Sequence, residues 1–126
     1  MRKRILLASL AVIFIVFTIL FLIRSYAFFS TYNYFTAKRD VTNGNIQIIS
    51  SGLPLFSSKD NEIKAVQAKY GFKDSNIGCI VQEQEINGIE AYNNVVEQYL
   101  IQRNGKNWRT AYEKEVDSLY RIAFGL

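Results

Sequence analysis

The sequence predicts one membrane-spanning helix followed by a small α+β domain, a βαβ unit leading into an αα-hairpin. Three observations predict it. Residues 5–23 run for 19 positions without a charge, strand-like apolar runs flank a helical period, and two long amphipathic periods meet at a glycine-bearing turn. Residues 1–4 form a basic flank, 5–23 the span, 24–44 an aromatic juxtamembrane segment and linker, and 45–126 the domain.

At about 1.5 Å per residue a helical span of this length is roughly 28 Å long, close to the hydrocarbon thickness of a bilayer. Lipid offers no hydrogen-bond partners, so every backbone N–H must be satisfied within the segment, and a helix does this. Arg2, Lys3 and Arg4 precede the run and Arg24 closes it. This asymmetry, weakened by Lys38 and Arg39 further along, favours a cytoplasmic N-terminus and an exported domain. The competing reading is a secretory signal cleaved after Ala27, at the small-x-small site Ser25-Tyr26-Ala27. Against it stand the length of the apolar run and the position of Arg24 between that run and the site. Tyr26, Phe28, Phe29 and Tyr32, with Tyr34 and Phe35, put six aromatics in residues 26–35. They read as an interfacial belt at headgroup depth, with packing on the domain or docking of another envelope protein as the alternatives.

Asn43-Gly44-Asn45 marks the turn into the domain, and Ile46-Gln47-Ile48-Ile49 reads as a strand. Gly52 and Pro54 break the chain into a loop. A helix is expected over Asp60–Tyr70: Asp60 and Glu62 suit its positive end, Lys69 its negative end, Gly71 its stop, and Ile63, Val66 and Tyr70 share one face. Cys79-Ile80-Val81, with the alternating stretch 82–86, reads as the second strand, parallel to the first in a βαβ unit or else antiparallel. Asn87, with Glu90 three residues later, resembles a helix start. Ile89, Tyr92, Val96 and Tyr99 then form an apolar stripe, with Val95 and Leu100 beside it. After Asn104-Gly105-Lys106, Asn107 opens a last helix with Trp108, Tyr112, Val116, Leu119 and Ala123 on one face and an Asp117–Arg121 pair across one turn.

Composition excludes much chemistry. The chain has no histidine and one cysteine, which removes His-dependent acid–base and nucleophile systems, His-containing metal sites, zinc clusters and internal disulfides. Cys79 is a candidate reactive thiol, but its neighbours Gly78, Ile80 and Val81 favour a packed strand position. Glu83 with Glu85, and Glu113 with Asp117, are carboxylate pairs expected on solvated faces rather than in a glycosidase or calcium site. Ser50-Ser51-Gly52 is expected as a structural turn, with an anion-binding nest as the alternative. Of the domain's aromatics, Tyr92, Tyr99, Trp108 and Tyr112 fit a core, and Tyr120, off that stripe, is the surface interaction candidate.

The runs Lys69-Tyr70-Gly71-Phe72, Gly78-Cys79, Glu90-Ala91-Tyr92-Asn93-Asn94-Val95-Val96 and Asn104-Gly105-Lys106-Asn107-Trp108 resemble those of a group of small, uncharacterised single-pass bacterial envelope proteins. The likeness covers Ile46 to Tyr120. That group has no assigned activity, so it implies a domain and no reaction.

The whole chain carries +4, but the excess is Arg2, Lys3, Arg4 and Arg24. The remainder holds 11 bases and 11 acids and is formally neutral, so the basic balance gives no support to nucleic-acid binding. The expected function is a non-catalytic, single-pass accessory or interaction module in the bacterial inner membrane. Its partners would be the lipid bilayer and an envelope protein, with no cofactor, no metal and no nucleic acid. The alternatives are a small envelope enzyme using Cys79 or a carboxylate pair, and a secreted domain released after Ala27.

Overall fold

The structure, a computed structural model, describes residues 2–26, 30–54, 56–79 and 82–125. Five helices and two strands follow one another as α1 (Arg2–Tyr26), α2 (Tyr34–Thr42), β1 (Gln47–Ser50), α3 (Asp60–Tyr70), β2 (Lys73–Asn76), α4 (Glu83–Asn104) and α5 (Trp108–Phe124).

Helix α1 contains Ile5–Arg24, long and apolar enough to cross a membrane, and none of that segment is buried against the rest of the chain. Its two hydroxyls need no outside partner. Ser9 donates to the carbonyl of Leu6 at 2.9 Å and Thr18 to that of Phe14 at 2.8 Å, leaving a surface that is apolar all round.

The domain begins within the stretch expected to be linker. Asn33, 5 % exposed, caps α2: its carboxamide oxygen accepts from the backbone of Phe35 and Thr36, and the Thr36 hydroxyl accepts from the Asn33 N–H. Helix α2 lies along α4 and buries Ala37 against it.

Strands β1 and β2 pair in parallel, Gln47 opposite Lys73 through Ser50 opposite Asn76, so α3 is the crossover of a βαβ unit. Helix α3 has the expected bounds. Gly71 ends it in the left-handed region (φ +86°), and the Gly71 and Phe72 N–H groups both donate to the Gln67 carbonyl. That tight reversal launches β2 at once, which corrects the expected second strand. Residues 73–76 form it; from Glu83 the chain is helical, and Ile80 and Val81 lie outside the described residues. Helix α4 likewise starts before Asn87, because the Glu85 carboxylate accepts from the Gln82 N–H at 3.1 Å and anchors the first turn there.

Helix α4 buries Ile89, Tyr92, Val96 and Leu100 on one stripe, with Leu100 rather than Tyr99 at its centre. Gly105 ends α4, and α5 turns back. It packs chiefly on α3, with a lesser contact to α4, so the αα-hairpin is open. Trp108, 2 % exposed, joins Tyr70, Phe72 and Tyr112 in an aromatic cluster with centroid separations of 5.1 to 6.2 Å.

The outer edge of β1 is closed by one side chain. The Asn93 carboxamide accepts from the Ile49 N–H at 2.9 Å and donates to the Ile49 carbonyl at 2.8 Å, as a neighbouring strand would. Asn93→Leu leaves both groups unpaired in a half-buried setting and is expected to cost about 1–2 kcal/mol. Chemical denaturation of the variant checks it; an unchanged midpoint would mean water replaces the carboxamide without loss.

Candidate functional site

The strongest polar contacts of the domain join elements to one another. Asp40 of α2 accepts a hydrogen bond from the Tyr92 hydroxyl of α4 at 2.8 Å, and Gln47 of β1 also reaches Asp40. Tyr92 is fully buried. Burial and the Asp40 charge disfavour the phenolate and push its pKa up to about 12. On the other side of the domain, Glu115 of α5 accepts from Lys69 at 2.7 Å and from the Tyr70 hydroxyl at 2.8 Å. These two donors hold the Glu115 carboxyl below the usual range, and the hydrogen bond to Glu115, with partial burial, raises the Tyr70 phenol. Glu97 of α4 accepts from the Trp108 indole at 3.1 Å and pairs with Arg109, tying α4 to the start of α5.

The Tyr92 shift sets an alkaline limit. Folding raises the phenol from 10 to about 12, so the native state holds the proton more tightly than the unfolded chain. Stability from this group is complete below pH 10 and falls as pH rises from 10 to 12, by about 2–3 kcal/mol in all. Tyr92→Phe removes that dependence. Urea midpoints measured across pH 9 to 12 for both proteins check the result.

Several sequence-derived candidates occupy other surroundings. Cys79 is exposed, on the connection between β2 and α4, not packed in a strand. The reason is the shift of the strand to residues 73–76, which leaves Gly78 and Cys79 in the turn beyond it. Glu83 and Glu85 belong to the first turn of α4, and Glu113 and Asp117 are exposed on α5, where Asp117 pairs with Arg121 at 2.9 Å. Among the described residues no group of three or more Cys, Asp or Glu side chains stands together as a metal site. The Ser50-Ser51-Gly52 turn spends its Gly52 N–H on the Gly78 carbonyl at 2.8 Å, joining the two strand ends.

Of the interfacial aromatics, Phe28 and Phe29 and the side chain of Tyr26 lie outside the described residues, as do the side chains of Arg2 and Arg4; Lys3 and Arg24 are exposed. Tyr32 is half-buried with its ring edge-on to Tyr92 at 5.4 Å; the α2–α4 seam holds it in the domain. Tyr34 and Phe35 keep their rings exposed.

Tyr120 stacks on Phe124 at 6.1 Å and lines a groove of about 450 Å³ beyond the C-terminal ends of β1 and β2. Leu53, Pro54 and Phe56 form its apolar wall, and Asp60, Lys64 and Asp74 its polar one. Leu53 and Phe56 are 85 % and 80 % exposed, the highest values for large apolar residues among the described residues of the domain. The position is the general one for ligand contact in parallel α/β units, outside the carboxyl ends of the strands. Sequence patterning passes over Leu53 and Phe56 because two apolar residues in a loop have no period; their setting between Gly52, Pro54 and a polar helix start is the signal that marks them.

Compared with known proteins, the chain matches no family model, no curated protein and no solved structure.

Proposed function

We propose that this chain is a single-pass accessory protein of the bacterial envelope. Helix α1 holds it in the inner membrane, the basic flank Arg2, Lys3 and Arg4 stays cytoplasmic, and the exported domain works by contact with an envelope protein rather than by catalysis. One observation carries the reading. The domain closes its core from α2 to α5, while the Ile5–Arg24 segment stands outside that core with none of its residues buried. Water does not tolerate such a surface, and a bilayer does. The non-catalytic part of the reading draws support from the use made of the perturbed groups. Asp40 with Tyr92, and Glu115 with Lys69 and Tyr70, spend their polar atoms on holding helices together.

Fusions to the C-terminus test the topology. Alkaline phosphatase joined after Leu126 is expected to be active and a cytoplasmic fluorescent protein there to be dark; the opposite pair of results would reverse the orientation. The second reading, release by cleavage after Ala27, is favoured by one observation. The Ser30–Tyr32 stretch, which meets α4 at Gly88, lies beyond that site, so release there would keep this contact within the domain.

A further inference from the structure

The topology gathers exposed apolar groups at one end of the domain. Parallel β1 and β2 both point toward that end, and the Gly52–Gly78 hydrogen bond joins them there. Helix α4 starts there, six residues past β2, and α1 and the Ser30–Tyr32 stretch touch α4 in that region. Helix α5 runs antiparallel to α3. Glu115 meets Tyr70 at the far end, and Tyr120 lines one groove with Ile63 and Lys64 at the near one, so α5 also finishes on the α1 side.

Among the described residues, every large apolar side chain exposed outside α1 comes from these near-end segments. Tyr34 and Phe35 begin α2, and Leu53 and Phe56 belong to the β1–α3 loop. Ile86 is in the first turns of α4, and Ile122 and Phe124 are in the last turns of α5. The opposite end is built from Asn43-Gly44-Asn45, from Gly71, and from Arg103-Asn104-Gly105-Lys106. The Asn104 carboxamide donates to the Tyr70 carbonyl there at 2.8 Å.

We infer that the end of the domain from which α1 emerges docks on the bilayer surface, with Leu53, Phe56 and Phe124 entering the headgroup boundary. The inference rests on α1 being a membrane anchor, and three observations then select lipid as the occupant. The first is continuity: the apolar end is the end at which α1 leaves. The second is reach. Tyr26 and Ser30 are four residues apart, a span of at most about 15 Å, so the anchor holds this end at the membrane surface and supplies a high effective concentration for contact. The third is shape and charge. Leu53 and Phe56 wall one side of an open groove, and the other apolar residues are tips on three separate helices, α2, α4 and α5. Of the neighbouring charges, Lys59 pairs with Glu62 and Arg121 with Asp117, and Asp60, Lys64 and Asp74 on the groove wall carry no net positive charge, so binding draws on apolar insertion and not on anionic lipid.

The test uses the full chain in phosphatidylcholine vesicles, in a Cys79→Ser background, with a bimane fluorophore on Phe56→Cys or on Lys106→Cys at the opposite end. Both sites are exposed, so neither label disturbs the core. Flotation of the vesicles first separates bound from free chain. A doxyl-labelled phosphatidylcholine then quenches bimane at position 56 at least threefold more than at position 106, and changing sodium chloride from 0.05 to 0.5 M leaves the ratio unchanged (about 14 Å against 4 Å of screening length). Adding Leu53→Ser and Phe124→Ser brings the ratio toward one. Chain that floats with equal quenching at the two positions overturns docking and leaves the anchor standing. Chain that fails to float overturns the anchor and the docking with it. Protection of position 56 that follows the protein-to-lipid ratio rather than the doxyl lipid assigns the face to a second copy, and likewise overturns the proposal.

Discussion

Replacing Trp108 by alanine is expected to lower the stability of the domain by about 3–5 kcal/mol, the range for removing a large aromatic from a core. The residue is 2 % exposed, and its ring lies against Tyr70, Phe72 and Tyr112. It therefore joins the end of α3, the start of β2 and the start of α5, three segments that no backbone ladder links to one another. The indole N–H donates to Glu97 of α4, and Arg109 covers the ring at 4.9 Å. Alanine leaves a cavity among aromatics too rigid to collapse into it, and it strips one partner from a half-buried carboxylate. For a domain of about 100 residues such a loss lowers Tm by more than about 12 °C. Trp108→Phe separates the two contributions. It keeps most of the packing and forfeits the hydrogen bond, so it is expected to cost about 1–2 kcal/mol. Thermal unfolding of the two variants side by side checks the order; equal losses would mean that the ring's volume counts for little.

The second large effect concerns the joint between α1 and the domain. Glycine within a helix ordinarily weakens it, and alanine in its place gains up to about 1 kcal/mol. At Gly88 the opposite is expected. The residue is buried in α4, and the Ser30–Tyr32 stretch crosses it so closely that a methyl group would overlap the Tyr32 carbonyl oxygen and crowd the Ser30 side chain. The obstacle is backbone, which cannot swing aside as a flexible side chain would. Gly88→Ala must move the stretch, and with it the Asn33 cap and the edge-on Tyr32–Tyr92 contact. A cost of about 2–3 kcal/mol follows, and amide exchange should quicken in α2 before it does in α5. A stabilised variant would show that the crossing yields without loss.

Much of this architecture is legible in the residues, and the illegible parts have physical causes. Helix α3 announces its bounds because acids, a basic end and a terminal glycine all agree with its apolar period. The turn at Gly105 follows from similar signals, whereas the residues leave the strand pairing open between parallel and antiparallel. Strand β2 is silent because Lys73, Asp74 and Asn76 are exposed, so Lys-Asp-Ser-Asn has no apolar alternation to show. Its burial is carried by Phe72 just before it. Cys79-Ile80-Val81 offered a stronger β-like composition and drew the strand to the wrong place, which in turn put Cys79 in a packed setting that it does not occupy. Helix α2 buries only Ala37 in full, too little for a period, although Asn33 with Thr36 is a readable cap. Of the groove beyond the strand ends, Tyr120 was legible as an off-stripe aromatic. Leu53 and Phe56 were not, because a loop's position over a fold is a tertiary fact.

In the proposed arrangement α1 remains attached and holds the domain at the membrane. The most direct measurement is the intact mass and cell fraction of the mature chain after alkaline carbonate washing of the membranes. A chain of about 14.5 kDa that begins at its N-terminal methionine and stays with the washed membranes is expected. A shorter chain that begins at Phe28 and is recovered in the soluble fraction would contradict it.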